Sequence, residues 1–156
     1  MPGNYLIAFI LFAVASITDA LDGHIARKNN LITNFGKFLD PLADKVLVVA
    51  ALCCFVEKGL MSAIPLIIIV SREFMVSGLR LVVANEGVVV AAGIWGKLKT
   101  AFTMVAIVMI LIFCIAGVTE KFSMISDILV CTSTILTIIS GGVYLKGYWK
   151  YIDTDK

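Results

Sequence analysis

Five apolar runs, each close to the roughly 20 residues that cross a ~30 Å hydrocarbon layer, restrict the fold of this chain more than any other feature. They lie near Tyr5 to Ala26, Asp40 to Val56, Ser62 to Val83, Leu98 to Val118 and Met124 to Leu145. Turn-forming and charged residues gather between them, in 27–37, 57–59 and 85–97 and at Glu120 and Lys121. With 60% hydrophobic and 15% charged residues in 156 positions, the chain carries more apolar surface than a water-soluble core of that size consumes. The sequence therefore predicts an all-α fold: a polytopic transmembrane helix bundle of five helices, forming a single domain over 1–156 and solvated by membrane lipid.

Charge sets the expected orientation. Arg27, Lys28, Lys37, Lys45, Arg72, Arg80, Lys97, Lys99, Lys146, Lys150 and Lys156 fall on one side of such a bundle, against Lys58 and Lys121 on the other. Lys and Arg concentrate in cytoplasmic loops, so the first and third loops and the C-terminus are expected inside. The uncharged start, Met1-Pro2-Gly3-Asn4, is then expected outside. It resembles a turn between spans more than a native first segment, and it has neither the basic region nor the cleavage site of a signal peptide. There is no internal repeat. The net charge of +2 is small and its basic residues form short clusters, which argues against nucleic acid as a partner. Cys53, Cys54, Cys114 and Cys131 lie in apolar runs without metal-type spacing and read as reduced packing or lipid-facing residues.

Chemistry concentrates between Asp19 and Asp44. Asp19 and Asp22 lie about 60° apart around one helix, and Asp40 and Asp44 about 40° apart around the next. The short connection makes the two helices antiparallel neighbours, so both pairs sit at similar depth and the four carboxylates converge. An aspartate within a span costs roughly 2.5–3.5 kcal/mol on insertion scales, and like charges add repulsion. A positive partner is required. Hard oxygen donors without His or Cys suit Mg²⁺ or Mn²⁺, and two such ions are a recurrent device for in-line displacement at phosphorus. Gly23, Ala26 and Gly36 keep the adjoining helix surfaces free of bulk, so that a substrate could approach the backbone, though taken singly such residues more often serve close helix packing. Arg27 suits a phosphate.

In order, these residues form D-x-x-D-G-x-x-A-R, eight residues, then G-x-x-x-D-x-x-x-D, with every fixed position filled. A prespecified pattern of that kind arises by chance at a given site about once in 10¹⁰. It resembles the signature of the CDP-alcohol phosphotransferases. The resemblance implies a six-helix membrane bundle, usually a homodimer, that cleaves a CDP-linked lipid, passes its phosphatidyl group to an alcohol and releases CMP. It further implies that Asp19, Asp22, Asp40 and Asp44 hold two divalent cations, that Asp44 is the catalytic base, and that Asp22, Gly23, Ala26, Arg27 and Gly36 contact the CDP moiety.

The likeness continues through Ser71-Arg72-Glu73-Phe74, Gly78-Leu79-Arg80 and Trp95-Gly96-Lys97-Leu98-Lys99-Thr100. This 71–100 segment looks like the bacterial branch that forms phosphatidylglycerophosphate. CDP-diacylglycerol and glycerol 3-phosphate are then the expected substrates, with Arg72, Arg80, Lys97 and Lys99 around the acceptor phosphate. The bacterial inner membrane is the expected location, with the active site facing the cytoplasm. Family members carry a helix before the one bearing Asp19, so a first helix is expected to be missing here.

Two other readings remain open: a different acceptor within the family (inositol phosphate, serine or phosphatidylglycerol), or a non-catalytic cation-binding membrane protein, since intramembrane acids also mark ion pathways. His24 reads as an interfacial polar residue. Trp95, Tyr148, Trp149 and Tyr151 read as an interfacial aromatic belt, and Ser140-Gly141-Gly142 as a packing or kink site.

Overall fold

A computed structural model describes residues 2–28, 34–85 and 93–149. Within them the chain is all-helical, in the order α1 (Pro2–Lys28), α2 (Asn34–Glu57), α3 (Ala63–Asn85), α4 (Ile94–Ile115) and α5 (Ser123–Tyr148). Each apolar run falls on one helix. The largest differences from expectation are at α2, which starts at Asn34 and not Asp40, and at α4, which runs from Ile94 to Ile115 instead of from Leu98 to Val118.

The helix ends explain these boundaries. Gly59 (φ 69°) and Gly117 (φ 67°) take the left-handed conformation that ends a helix without a Cβ clash. After α2, the Leu60 N–H bonds the Phe55 carbonyl at 2.8 Å and the Gly59 N–H bonds that of Val56 at 3.0 Å. The same pair of bonds recurs after α4, from Val118 to Phe113 at 3.1 Å and from Gly117 to Cys114 at 3.3 Å. The last carbonyls of both helices are thereby satisfied, and the chain reverses within a few residues. At the start of α3 the Ser62 hydroxyl accepts from the Ile64 N–H at 3.2 Å. Pro65 sits in that first turn, where a missing N–H costs nothing.

The helix α5 lies along both α3 and α4, while α1 packs on α4 and α2, and α2 on α3. Phe12 of α1, Leu52 and Phe55 of α2, Ile69 of α3, Ile107 and Ile110 of α4 and Val130 of α5 form the larger core. A smaller cluster, Val76, Leu79, Val83 and Tyr144, fills the half of the bundle where α3 and α5 end.

Polarity differs from that of a water-soluble bundle. Thr103, Ser126, Ser133, Thr134, Thr137 and Ser140 are buried along α4 and α5, while Phe74 is 72% and Ile94 82% exposed. The buried hydroxyls are cheap to bury because they bond their own helix: Thr103 to the Lys99 carbonyl at 2.9 Å, Thr134 to that of Val130 at 2.8 Å, and Thr137 to that of Ser133 at 2.7 Å. Small and hydroxylated residues at a helix interface, with large apolar ones outside, suit a lipid surround. Among the described residues, α4 and α5 are long and apolar enough to cross a membrane, so the chain is membrane-associated.

Candidate functional site

Where α2 and α4 begin and α3 and α5 end, the four helices surround a cavity of about 510 Å³. The helices alternate in direction, so Lys45 midway along α2, Arg80 near the end of α3, Lys97 at the start of α4 and Tyr144 near the end of α5 line one cavity. Arg72, Arg80, Lys97 and Lys99, the four cations expected from the sequence, all line it. Lys45 joins them, and Glu73 is the acidic side chain among the described lining residues.

The cations are held in different ways. Arg72 is 8% and Lys99 3% exposed, and both are tied to Glu73: its Oε1 accepts from Arg72 Nη1 at 2.9 Å and from Lys99 Nζ at 2.6 Å. Arg72 Nη2 also donates to the Ser140 hydroxyl on α5. A buried cation is tolerable only when paired and hydrogen-bonded, and Glu73 with Ser140 meets that condition. Arg80 instead donates from Nη2 to the Tyr144 hydroxyl at 3.2 Å. That hydroxyl also accepts the Gly93 N–H at 2.8 Å. Both guanidinium groups lie near the Tyr144 ring, their carbons 5.5 and 5.6 Å from its centroid, close enough for cation–π attraction. Lys45 Nζ donates to the Ser77 hydroxyl, which itself donates to the Glu73 carbonyl at 2.7 Å.

Glycine makes room for this arrangement. A Cβ on Gly141 would stand 3.2 Å from Arg72 Cγ and from Met75 Cε, and one on Gly96 would stand 3.3 Å from the Tyr144 hydroxyl. The stem of Arg72 can therefore lie against α5 with its head beside Ser140. The packing role expected for Ser140 and Gly141 is thus met through Arg72, while Gly142 has nothing within 4 Å of the position a Cβ would take.

After pairing, Glu73 is spent on Arg72 and Lys99, while Arg80, Lys45 and exposed Lys97 have no carboxylate partner among the described residues. The Nε of Arg80 and of Arg72 are buried with no hydrogen-bond acceptor. Such a cavity attracts an anion with several acceptor oxygens. Sequence reasoning passed over three of its members. Glu73 had a signal, being an acid inside an apolar run, and so had Lys45, a charge directly following Asp44. Tyr144 had none, because its place follows from how α5 lies against α3.

The acidic signature occupies the same end of the bundle on the backbone. Asp19, Asp22, Gly23, Ala26 and Arg27 fall on α1, towards its end, and Gly36, Asp40 and Asp44 on the first half of α2. Their side chains, with that of His24, lie outside the described residues, as does Tyr151. Trp95 and Trp149 are 44% and 61% exposed near helix ends. All four cysteines are free; Cys114 is buried and the others exposed.

The sequence matches the model of the CDP-alcohol phosphatidyltransferase family over residues 1–139. It is 45% identical over 155 residues to the CDP-diacylglycerol–glycerol-3-phosphate 3-phosphatidyltransferase of Bacillus subtilis, covering 99% of this chain and 80% of that protein. Proteins of the same name from Rickettsia bellii (39% identity, 96% of this chain and 83% of the relative) and Pseudomonas fluorescens (36%, 97% and 80%) are also similar.

Proposed function

The chain belongs to the CDP-alcohol phosphatidyltransferase family, and on that premise we propose that it moves the phosphatidyl group of CDP-diacylglycerol onto glycerol 3-phosphate. The products are phosphatidylglycerophosphate and CMP. The observation that carries the choice of a phosphorylated acceptor is the cavity lined by Lys45, Arg72, Arg80, Lys97 and Lys99 at the end of the bundle that bears the acidic signature; among phosphorylated acceptors, the relatives named for glycerol 3-phosphate favour it over inositol phosphate. A dianionic phosphate suits the cations that Glu73 leaves unpaired, and an uncharged or zwitterionic acceptor does not.

Members of this family work with divalent cations, and the donor set fits one. Asp19, Asp22, Asp40 and Asp44 offer carboxylate oxygens at helical spacing on two neighbouring helices, the ligands that Mg²⁺ or Mn²⁺ prefer. Among the described residues no group of three or more His, Cys, Asp or Glu gathers, and the side chains of these four aspartates lie outside them. These four aspartates would hold the metal, as two ions, and when bound it neutralises charge on the pyrophosphate.

The chain's own residues do the rest. Gly23, Ala26 and Gly36 let the CDP moiety approach α1 and α2, and Arg27 pairs with a phosphate oxygen. Arg80, Lys97 and Lys45 hold the acceptor phosphate, with Arg72 and Lys99 fixed behind them by Glu73. The acceptor hydroxyl gives its proton to Asp44 and its oxygen bonds the phosphatidyl phosphorus, while the phosphoanhydride bond breaks and CMP leaves. Holding the acceptor by its phosphate converts an encounter into an oriented attack.

In the same reading 1–156 is one domain, with the signature at 19–44 and the acceptor segment at 71–100. All five helices cross a bacterial inner membrane as a polytopic bundle, the site faces the cytoplasm, and two copies pair. The buried hydroxyls and exposed apolar side chains support the spanning, and the Lys and Arg bias supports the orientation. The test is CMP release from CDP-diacylglycerol by purified chain with a divalent ion and a panel of acceptors. Glycerol 3-phosphate is expected to be the best substrate; a preference for serine or inositol phosphate overturns the assignment.

A further inference from the structure

Glycerol 3-phosphate presents three groups around one stereocentre: a phosphate, a primary hydroxyl and a secondary hydroxyl. The proposed reading gives the cavity cations to the first and the acidic signature to the second. Nothing yet recognises the third, and two points of attachment cannot distinguish a chiral ligand from its mirror image.

Glu73 has the capacity to do so. It stands on α3 between Arg72 and Ser77, lines the cavity, and its side chain is 16% exposed. Both of its cation partners bond Oε1, at 2.9 and 2.6 Å, and Oε2 has no hydrogen-bond partner among the described residues. A carboxylate needed solely as a counter-ion has no requirement for cavity exposure, whereas one with a vacant oxygen beside bound phosphate meets whatever the rest of the ligand presents. Its register on α3 is suitable. Arg80 lies seven residues further along, about two helical turns or roughly 10 Å, on nearly the same face of α3, and both side chains line the cavity, so the two long side chains can converge on one ligand. An ionised carboxylate only accepts hydrogen bonds. The group that completes Oε2 is therefore a donor, and on a polyol phosphate that donor is a hydroxyl. The lysines and arginines around it cannot act as a second acceptor for the same hydroxyl, so Glu73 alone among the described charged lining residues can receive its proton.

Resting on the proposed transferase reading, the geometry points to Glu73 as the specificity-determining residue of the acceptor site. Its Oε2 accepts a hydrogen bond from the secondary hydroxyl of a polyol phosphate, while Oε1 keeps Arg72 and Lys99 in place. This gives the ligand its third point of attachment. It makes the site selective for one enantiomer and keeps the secondary hydroxyl from being the one that attacks.

The test compares three acceptors: sn-glycerol 3-phosphate, its enantiomer sn-glycerol 1-phosphate, and 3-hydroxypropyl phosphate, which lacks the secondary hydroxyl. CMP release gives kcat/KM for each with the wild-type chain, with Glu73→Gln, and with Glu73→Gln/Lys99→Met, in which no buried ammonium is left without its counter-charge. In Glu73→Gln the single amide oxygen is claimed by Arg72 and Lys99, which leaves the amide NH₂ where an acceptor is needed. The wild type is expected to prefer sn-glycerol 3-phosphate over both analogues by roughly tenfold to a hundredfold, the range of a hydrogen bond to a charged group. Both variants are expected to bring that ratio to within about threefold of unity, whatever happens to absolute rates. If the variants lose activity towards all three acceptors in equal proportion, Glu73 is a counter-ion and nothing more, and the inference fails. A wild-type chain that ignores the secondary hydroxyl refutes it equally. Should the wild type release no CMP with sn-glycerol 3-phosphate while another acceptor works, the transferase reading itself has failed, a result distinct from the other two.

Discussion

Replacing Arg80 by glutamine separates binding of the acceptor phosphate from support of the bundle. Arg80 is half-buried and among the described residues makes one hydrogen bond, to Tyr144 at 3.2 Å, while its Nε is buried with no acceptor among them. A guanidinium has five N–H groups, so most of its donors are uncommitted. A phosphate oxygen at Nε would add a charge-assisted bond and relieve an unsatisfied group, together worth about 1.5–3 kcal/mol. The apparent KM for glycerol 3-phosphate should therefore rise roughly tenfold to 150-fold, with the KM for CDP-diacylglycerol changed far less. Arg72→Gln should behave differently. It removes the 2.9 Å pair with Glu73 and the bond to Ser140 from a buried interface, so it should lower thermal stability in detergent by about 3 kcal/mol before any binding effect is read. The assay is CMP release against acceptor concentration at saturating CDP-diacylglycerol, alongside a thermal melt. If Arg80→Gln leaves the acceptor KM unchanged, or raises both KM values alike, the phosphate is not held at Arg80.

Three further outcomes are expected. Asn in place of any one of Asp19, Asp22, Asp40 or Asp44 should reduce turnover by orders of magnitude, and near-normal activity of Asp22→Asn with unaltered metal dependence would contradict the proposed metal site. Gly141→Val should destabilise the chain by about 1–3 kcal/mol through overpacking against Arg72 and Met75, with Gly142→Ala as the near-neutral comparison; equal melting shifts would refute the close approach of α3 and α5. Thiol labelling of single-cysteine variants should find position 3 outside the cytoplasm and position 151 inside, and the reverse pattern would overturn the proposed orientation.

The helices were legible because each apolar run has the length of one membrane crossing and is closed by charges or glycine. Their ends were less so: Gly117 stops α4 two residues after Ile115, though the apolar pattern continues to Val118. Arg72, Arg80, Lys97 and Lys99 were also legible as a group, since cations this close to apolar runs stand out. What each one does was not. That Arg72 and Lys99 are bound to Glu73 while Arg80 rests on Tyr144 depends on which faces of α3, α4 and α5 meet, and side-chain spacing along one helix carries no information about a partner 26 or 64 residues away. The acidic signature was the easiest to recognise, because its fixed positions follow helical spacing on two consecutive helices.

The pairing of Lys99 with Glu73 also bears on how the chain is assembled. In the proposed spanning arrangement Arg72 arrives in the bilayer with its acid as the next residue, so α3 brings its own neutralisation. The helix α4 contains Lys97 and Lys99 and no Asp or Glu, and the Lys99 side chain ends up 4% exposed inside the bundle, against Glu73. During synthesis Lys99 therefore carries an insertion penalty, roughly 2.5–3.5 kcal/mol for a cation at the centre of a span and less near its end, until α3 is beside it. The order of the helices in the chain ensures that α3 has already emerged. Biogenesis should accordingly treat α3 and α4 as one inserting pair, and a chain carrying Glu73→Leu should stall or be degraded at the stage when α4 leaves the translocon, before the cavity has formed.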